Sequence, residues 1–164
     1  MSYKAYLTIS ELSKHPDISS ALADMIIIWS AVENALVALT HKLLGTTAQK
    51  STIAFYSHTS LHGRINMIKR LVREFVSDKT VKDNLLTSLT KITNLATTRN
   101  SYVHGKWASD YKGTVVVFDL RKLPNSTKRK KTVKAVDIRN HIRAVHRRLD
   151  CLWETIEQLK KVSS

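Results

Sequence analysis

The amino-acid sequence predicts a mainly α protein: an antiparallel bundle of about five helices with a small β-hairpin inserted before the C-terminal helix. Three observations carry that expectation. Apolar residues recur in steps of three and four through several long segments. Glycine and proline are scarce, four and two in 164 residues, so few breaks are available. One short stretch, Thr114-Val115-Val116-Val117-Phe118, is β-branched and apolar instead. No internal repeat or linker interrupts the pattern, and a chain of this length forms one domain over residues 1–164.

The elements follow in order. Asp17, after Pro16, is placed to cap a helix starting at Ile18. Its stripe runs Ile18, Leu22, Met25, Trp29, Val32, Leu36, Leu39 and Leu43, and ends near Gly45. A shorter helix is expected over 47–57. Ser60 opens the next stripe, Leu61, Ile65, Ile68, Val72 and Phe75, and Ser77-Asp78 marks a turn. The fourth stripe is Leu85, Leu89, Ile92, Ala96, Arg99 and Val103, with Gly105 as the residue just past the helix end. Residues 114–118 and 132–136 then read as the hairpin, with 106–110 as a possible third strand. The segment between them, 123–131, reads as a loop. Asp137 is placed to cap a last helix with stripe Ile138, Ile142, Val145, Leu149, Leu152, Ile156 and Leu159.

The formal net charge is +14, and it is unevenly spread. Eleven Lys or Arg residues and one acid, Asp137, lie between Arg121 and Arg148. A clustered positive surface suits an acidic polymer. Lys106, the loop residues Lys128, Arg129, Lys130 and Lys131, and the helical series Arg139, Arg143 and Arg147 are the expected contacts to a phosphate backbone. Ser30, Glu33 and Asn34 interrupt the most apolar stretch, Met25 to Leu39, which argues against a membrane span. No secretory signal pattern is present, and the lone Cys151 sits in a helical pattern as a core thiol, so a reducing cytoplasm is expected.

Arg99-Asn100-Ser101-Tyr102-Val103-His104-Gly105 is where chemistry concentrates. A guanidinium is permanently charged and matches phosphate geometry. An imidazole gives or takes a proton near neutral pH. Together they suit attack of a ribose 2′-hydroxyl on the neighbouring phosphorus, with proton transfer by His104 and charge stabilisation by Arg99. Asn100 can orient His104 or bind phosphate. Five residues of ideal helix set Arg99 and His104 about 140° apart. They converge only if the helix end loosens at Gly105, or if a second surface completes the site.

The string Arg99-Asn100-x3-His104-Gly105, closing a long helix of an all-α bundle, resembles the R-x4-6-H signature of the HEPN superfamily ("higher eukaryotes and prokaryotes nucleotide-binding" domains). The likeness extends to Trp29-Ser30-Ala31-Val32-Glu33-Asn34, since such domains often carry a polar or acidic residue in the first helix. In architecture it covers about residues 18 to 160. The resemblance implies a metal-independent endoribonuclease, a toxin or host-defence effector without a cofactor. It also implies RNA as substrate and a homodimer whose active site lies at the interface. An antitoxin or a nucleotidyltransferase is the implied regulatory partner. Some members carry a tyrosine two residues after the histidine as the modified position; here that residue is Lys106, a departure that argues against silencing by that route, although Tyr102 or Tyr111 could serve in a related way. The alternative reading is a non-catalytic RNA- or nucleotide-binding dimer, or a regulatory interaction module.

Other residues are assigned by pattern. Glu33, beside the main apolar seam, is read in two ways, as a partner that holds the Arg99 fork or as an ordinary half-exposed helix glutamate. Trp29, Trp107 and Trp153 fall on or beside apolar stripes and are expected in the core, and Tyr102 and Trp107, beside the motif, are the aromatics to test for base stacking. His141 and His146 are expected to face solvent or RNA. His58 and His62 are four apart, but Ser60 breaks the helix between them, and no metal site is expected.

Overall fold

The computed structural model of the chain describes residues 4–6, 12–109, 114–118 and 131–159. Among them are five helices and four short strands. In chain order these are β1 (Lys4–Tyr6), α1 (Pro16–Leu44), α2 (Ala48–Tyr56), α3 (Leu61–Phe75), α4 (Lys79–Val103), β2 (Lys106–Ser109), β3 (Val115–Phe118), β4 (Lys131–Thr132) and α5 (Ala135–Gln158). The protein is mainly α, with a small antiparallel β element ahead of the C-terminal helix.

Helix boundaries follow local chemistry. α1 starts at Pro16, two residues earlier than a cap at Asp17 implies, because proline at the first helical position lacks only an N–H that would be orphaned anyway. Asp17 lies inside the first turn. The same shift recurs in α5: the helix starts at Ala135, and Asp137 reaches back to accept from the Lys134 N–H at 2.9 Å. That is the back half of a capping box rather than a cap. Thr47 and Ser60 do cap α2 and α3, accepting from Lys50 N and Gly63 N. Gly45 ends α1 with φ of 58°, which favours glycine.

The sheet is larger than a hairpin. Its order is β1-β2-β3-β4, antiparallel throughout. Trp107 pairs with Val117 and Ala108 with Val116 in the central ladder. β4 is shorter than the strand expected over 132–136, because 135 onward is already helical.

The chain divides into two compact units, Met1–Ile27 with Leu95–Arg143, and Ile28–Asn94 with Ala144–Ser164. The first holds the sheet. Its core joins Ile18, Ala21, Met25, Tyr102, Val115, Val117, Val133 and Ile138. The second is helical among its described residues, and it buries Val32, Leu36, Leu39, Phe55, Ile65, Ile68, Val72, Leu85, Leu89, Ile92, Leu149 and Leu152. α1 has the length and mean hydropathy, 1.7 over its most apolar window, of a membrane span. Met25, Trp29, Val32, Leu36 and Leu39 on it are nevertheless buried in protein, so packing accounts for its apolar stripe.

Several stripe residues depart from expectation. Phe75 and Trp153 are exposed, the latter at 38 %, and Cys151 is exposed rather than a core thiol. Phe75 is the last residue of α3, and Cys151 and Trp153 flank the buried Leu152 on the outward side of the α5 stripe.

Candidate functional site

The residues that carry the expected chemistry stand at the C-terminal end of α4, in the first unit. α4 reaches Val103, and the His104 N–H still donates to the Asn100 carbonyl at 3.0 Å. That bond closes the last turn of α4, and His104 stands just past the helix end; five residues of ideal helix would set Arg99 and His104 about 140° apart. Arg99 is half-buried, and its Nη1 donates to Asn100 Oδ1 at 3.1 Å. Asn100 thus serves both groups: its side chain holds the guanidinium, and its carbonyl receives the amide of His104. His104 itself is exposed.

The helix end is fixed by β2. The Trp107 indole N–H donates to the Tyr102 carbonyl at 2.9 Å, satisfying one of the orphaned carbonyls of the last turn. The Tyr102 and Trp107 rings stack with centroids 6.2 Å apart. His141 of α5 meets the Tyr102 ring edge-on at 6.3 Å. Gly105 is needed for space rather than for a left-handed conformation. A Cβ there would run into the Ser101 carbonyl oxygen and the Val117 side chain.

Two expectations are corrected by these contacts. Tyr102 is only 2 % exposed, so its ring belongs to the core and cannot stack on a base or accept a modifying group in this state. His141 is 8 % exposed and packs on Tyr102, because α5 widens its buried face where it meets the core built around the sheet. Trp107, expected on or beside the core, is half-buried, and its N–H is engaged within the protein.

Glu33 lies in the second unit, where its carboxylate is taken by other groups. Arg64 Nη1 is 3.7 Å from one oxygen, and the Tyr56 hydroxyl donates to the other at 3.4 Å. Arg64 is the residue that periodicity overlooked. Its guanidinium lies over the Phe55 and Tyr56 rings at 5.1 and 4.6 Å, and its Nε donates to the His58 carbonyl at 2.9 Å. The signal was available, since Leu61, Arg64, Ile65 and Ile68 share one helical face, the same anomaly that marks Arg99.

Among the basic positions, Lys106 is exposed on β2, and Arg139 and Arg143 are exposed one helical turn apart on α5. Arg147, also exposed, continues that spacing in the second unit. Lys128, Arg129 and Lys130 lie outside the described residues, as does Tyr111; Lys131 is described only as a backbone partner of Val117. A cavity of about 480 Å³ opens in the first unit where α1 and α5 begin, lined by Lys14, His15 and Lys134 among others but by none of Arg99, Asn100 and His104. His58 and His62 are exposed on either side of the Ser60 cap. No group of three or more metal-ligating side chains occurs among the described residues.

No family model, curated protein or solved structure matches this chain.

Proposed function

We propose that the chain is a cytoplasmic endoribonuclease of HEPN type, acting on RNA as a homodimer. The observation that carries this reading is the double role of Asn100, which ties the guanidinium of Arg99 to the backbone of the turn bearing His104. An exposed imidazole five residues beyond a held guanidinium supplies what the reaction needs. The ribose 2′-oxygen forms a bond to phosphorus as it loses its proton. The bond from phosphorus to the 5′-oxygen breaks, and that oxygen gains a proton. His104 handles proton transfer, and Arg99 stabilises charge on the non-bridging oxygens. The products are a 2′,3′-cyclic phosphate and a 5′-hydroxyl. The chemistry calls for no metal.

The divergence that ideal helical geometry would give Arg99 and His104 supports the dimer. A second copy would bring its own pair to face the first, so that the His104 of one chain and the Arg99 of the other address one phosphate. A toxin or defence role, with an antitoxin or nucleotidyltransferase as partner, is part of the same proposal and rests on the resemblance alone. The same divergence favours a second reading, an RNA-binding module that holds phosphate without cutting it.

The deciding experiment incubates the purified protein with a defined RNA and with its all-deoxy counterpart, in EDTA. Cleavage of the RNA alone, leaving cyclic phosphate ends and abolished by His104→Ala and by Arg99→Ala, is expected. Retained cleavage in both variants overturns the proposal. Tight, salt-sensitive binding without cleavage by the unaltered protein moves the assignment to the binding module.

A further inference from the structure

We infer that Trp107 is the positioning residue for His104, an inference that rests on the nuclease reading for its catalytic consequence. The geometry starts from the two-residue turn His104-Gly105. Upstream, the His104 N–H closes the last turn of α4 on Asn100. Downstream, Lys106 and Trp107 enter the sheet opposite Phe118 and Val117. The helix end and the sheet therefore meet through two residues, one of them glycine. Backbone freedom at such a joint is large unless something spans it.

Trp107 spans it. Its side chain reaches back across the turn, and the indole N–H, which can only donate, bonds the Tyr102 carbonyl at 2.9 Å. Donor and acceptor are five residues apart and bracket His104. The acceptor residue is anchored by a 2 % exposed ring that meets the rings of Trp107 and His141. Gly105 lies against the Ser101 carbonyl and Val117 with no room for a side chain. His104 is exposed, and its backbone lies between the two ends of this bridge, so its placement is inherited from it. An imidazole held in advance forgoes the entropy cost of finding its place at each turnover, and a displacement of about 1 Å can cost on the order of 10²-fold in rate.

The test removes the N–H and keeps an aromatic side chain, a smaller one in the first variant and one of the same shape in the second. Trp107→Phe does so by mutation. Site-specific replacement of Trp107 by its benzothiophene analogue does so at nearly constant shape, and it serves if the phenylalanine variant fails to fold. Trp153→Phe, at an exposed position of the other unit, is the control. Backbone order parameters at His104 and Gly105 are expected to fall from ~0.85 toward ~0.6 in both altered proteins, with α3 unchanged. In the same samples kcat for RNA cleavage is expected to fall about tenfold while KM holds. Unchanged order parameters at both residues overturn the clamp, whatever the cleavage shows. Loosened residues with undiminished kcat overturn its positioning role. If the unaltered protein cuts no RNA, the nuclease reading falls separately, and the relaxation data alone decide whether Trp107 holds His104.

Discussion

Arg99 donates to its immediate neighbour: Nη1 lies 3.1 Å from Oδ1 of Asn100. Adjacent residues on a helix point about 100° apart, so the guanidinium must fold sideways along the helix to reach the amide. Its fork is thereby aimed before any phosphate arrives. Asn100→Ala frees the fork and removes a hydrogen bond to a charged group. RNA cleavage is expected to drop about tenfold, equivalent to about 1.4 kcal/mol. Asn100→Asp holds the fork at least as firmly but places a negative charge where phosphate must approach. It is therefore expected to weaken RNA binding more than the alanine variant does. Equilibrium binding and cleavage rates of the two variants check the ordering, and equal affinities would show that Asn100 does not aim Arg99.

Gly105 is held to glycine by its surroundings. A methyl group at this Cα would overlap the Ser101 carbonyl oxygen and the Val117 side chain, and would press on the Phe118 carbonyl oxygen at 3.3 Å. Two of those atoms are backbone, which yields less readily than a side chain. Gly105→Ala is expected to destabilise the protein by about 1–3 kcal/mol, as overpacked sites do. At this chain length each kcal/mol lowers Tm by about 2–4 °C. Thermal unfolding followed by circular dichroism measures it, and an unchanged Tm would mean that the α4–β2 joint adapts freely.

Gly105 also shows how far the fold could be read from sequence. Its place just past a helix was legible, because the apolar stripe of α4 stops there; its reason was not, because Val117 comes from a strand paired at a distance. Helix periods and the caps at Thr47 and Ser60 are local signals and read directly. Asp17 and Asp137 are each set inside the first turn, since Pro16 and Ala135 already occupy helical positions. β1 has three residues and depends wholly on pairing with β2, so no periodicity announces it. At the candidate site, Arg99, Asn100 and His104 stood out by residue type. The bond between Arg99 and Asn100, the burial of Tyr102 and His141, and the engagement of Glu33 by Arg64 depend on rotamers and long-range contacts.

Arg64 does more for the second unit than its ion pair. The Glu33 contact is 3.7 Å, and the side chains are 14 % and 30 % exposed, so a pair of this kind contributes about 0.2–1 kcal/mol. Stacking over Phe55 and Tyr56 and the bond to the His58 carbonyl add to it. Arg64→Ala is expected to cost about 2 kcal/mol, and Glu33→Gln well under 1 kcal/mol. Arg64→Lys should recover little, since an ammonium lacks the planar fork that stacks and donates through Nε. Denaturant unfolding of the single and double variants gives the coupling energy. A coupling as large as the whole cost of Arg64→Ala would show that Glu33, and not the rings, holds the arginine.

Arg139 and Arg143 project from α5 into solvent one turn apart in the same unit as Arg99 and His104. Neither carries a share of the chemistry proposed above, so their effect on RNA should be electrostatic. Each phosphate contact on a single strand contributes ~0.7 to the slope of log affinity against log salt. The double variant Arg139→Gln, Arg143→Gln is therefore expected to lower that slope by about 1.4. It should weaken binding at low salt most, and leave the maximal cleavage rate at saturating RNA unchanged. Filter binding across a salt series, with kcat measured in parallel, separates the two effects. A slope equal to that of the unaltered protein would place the RNA path elsewhere, while a fall in kcat at constant slope would assign one of these arginines to the reacting phosphate instead of the flanking strand.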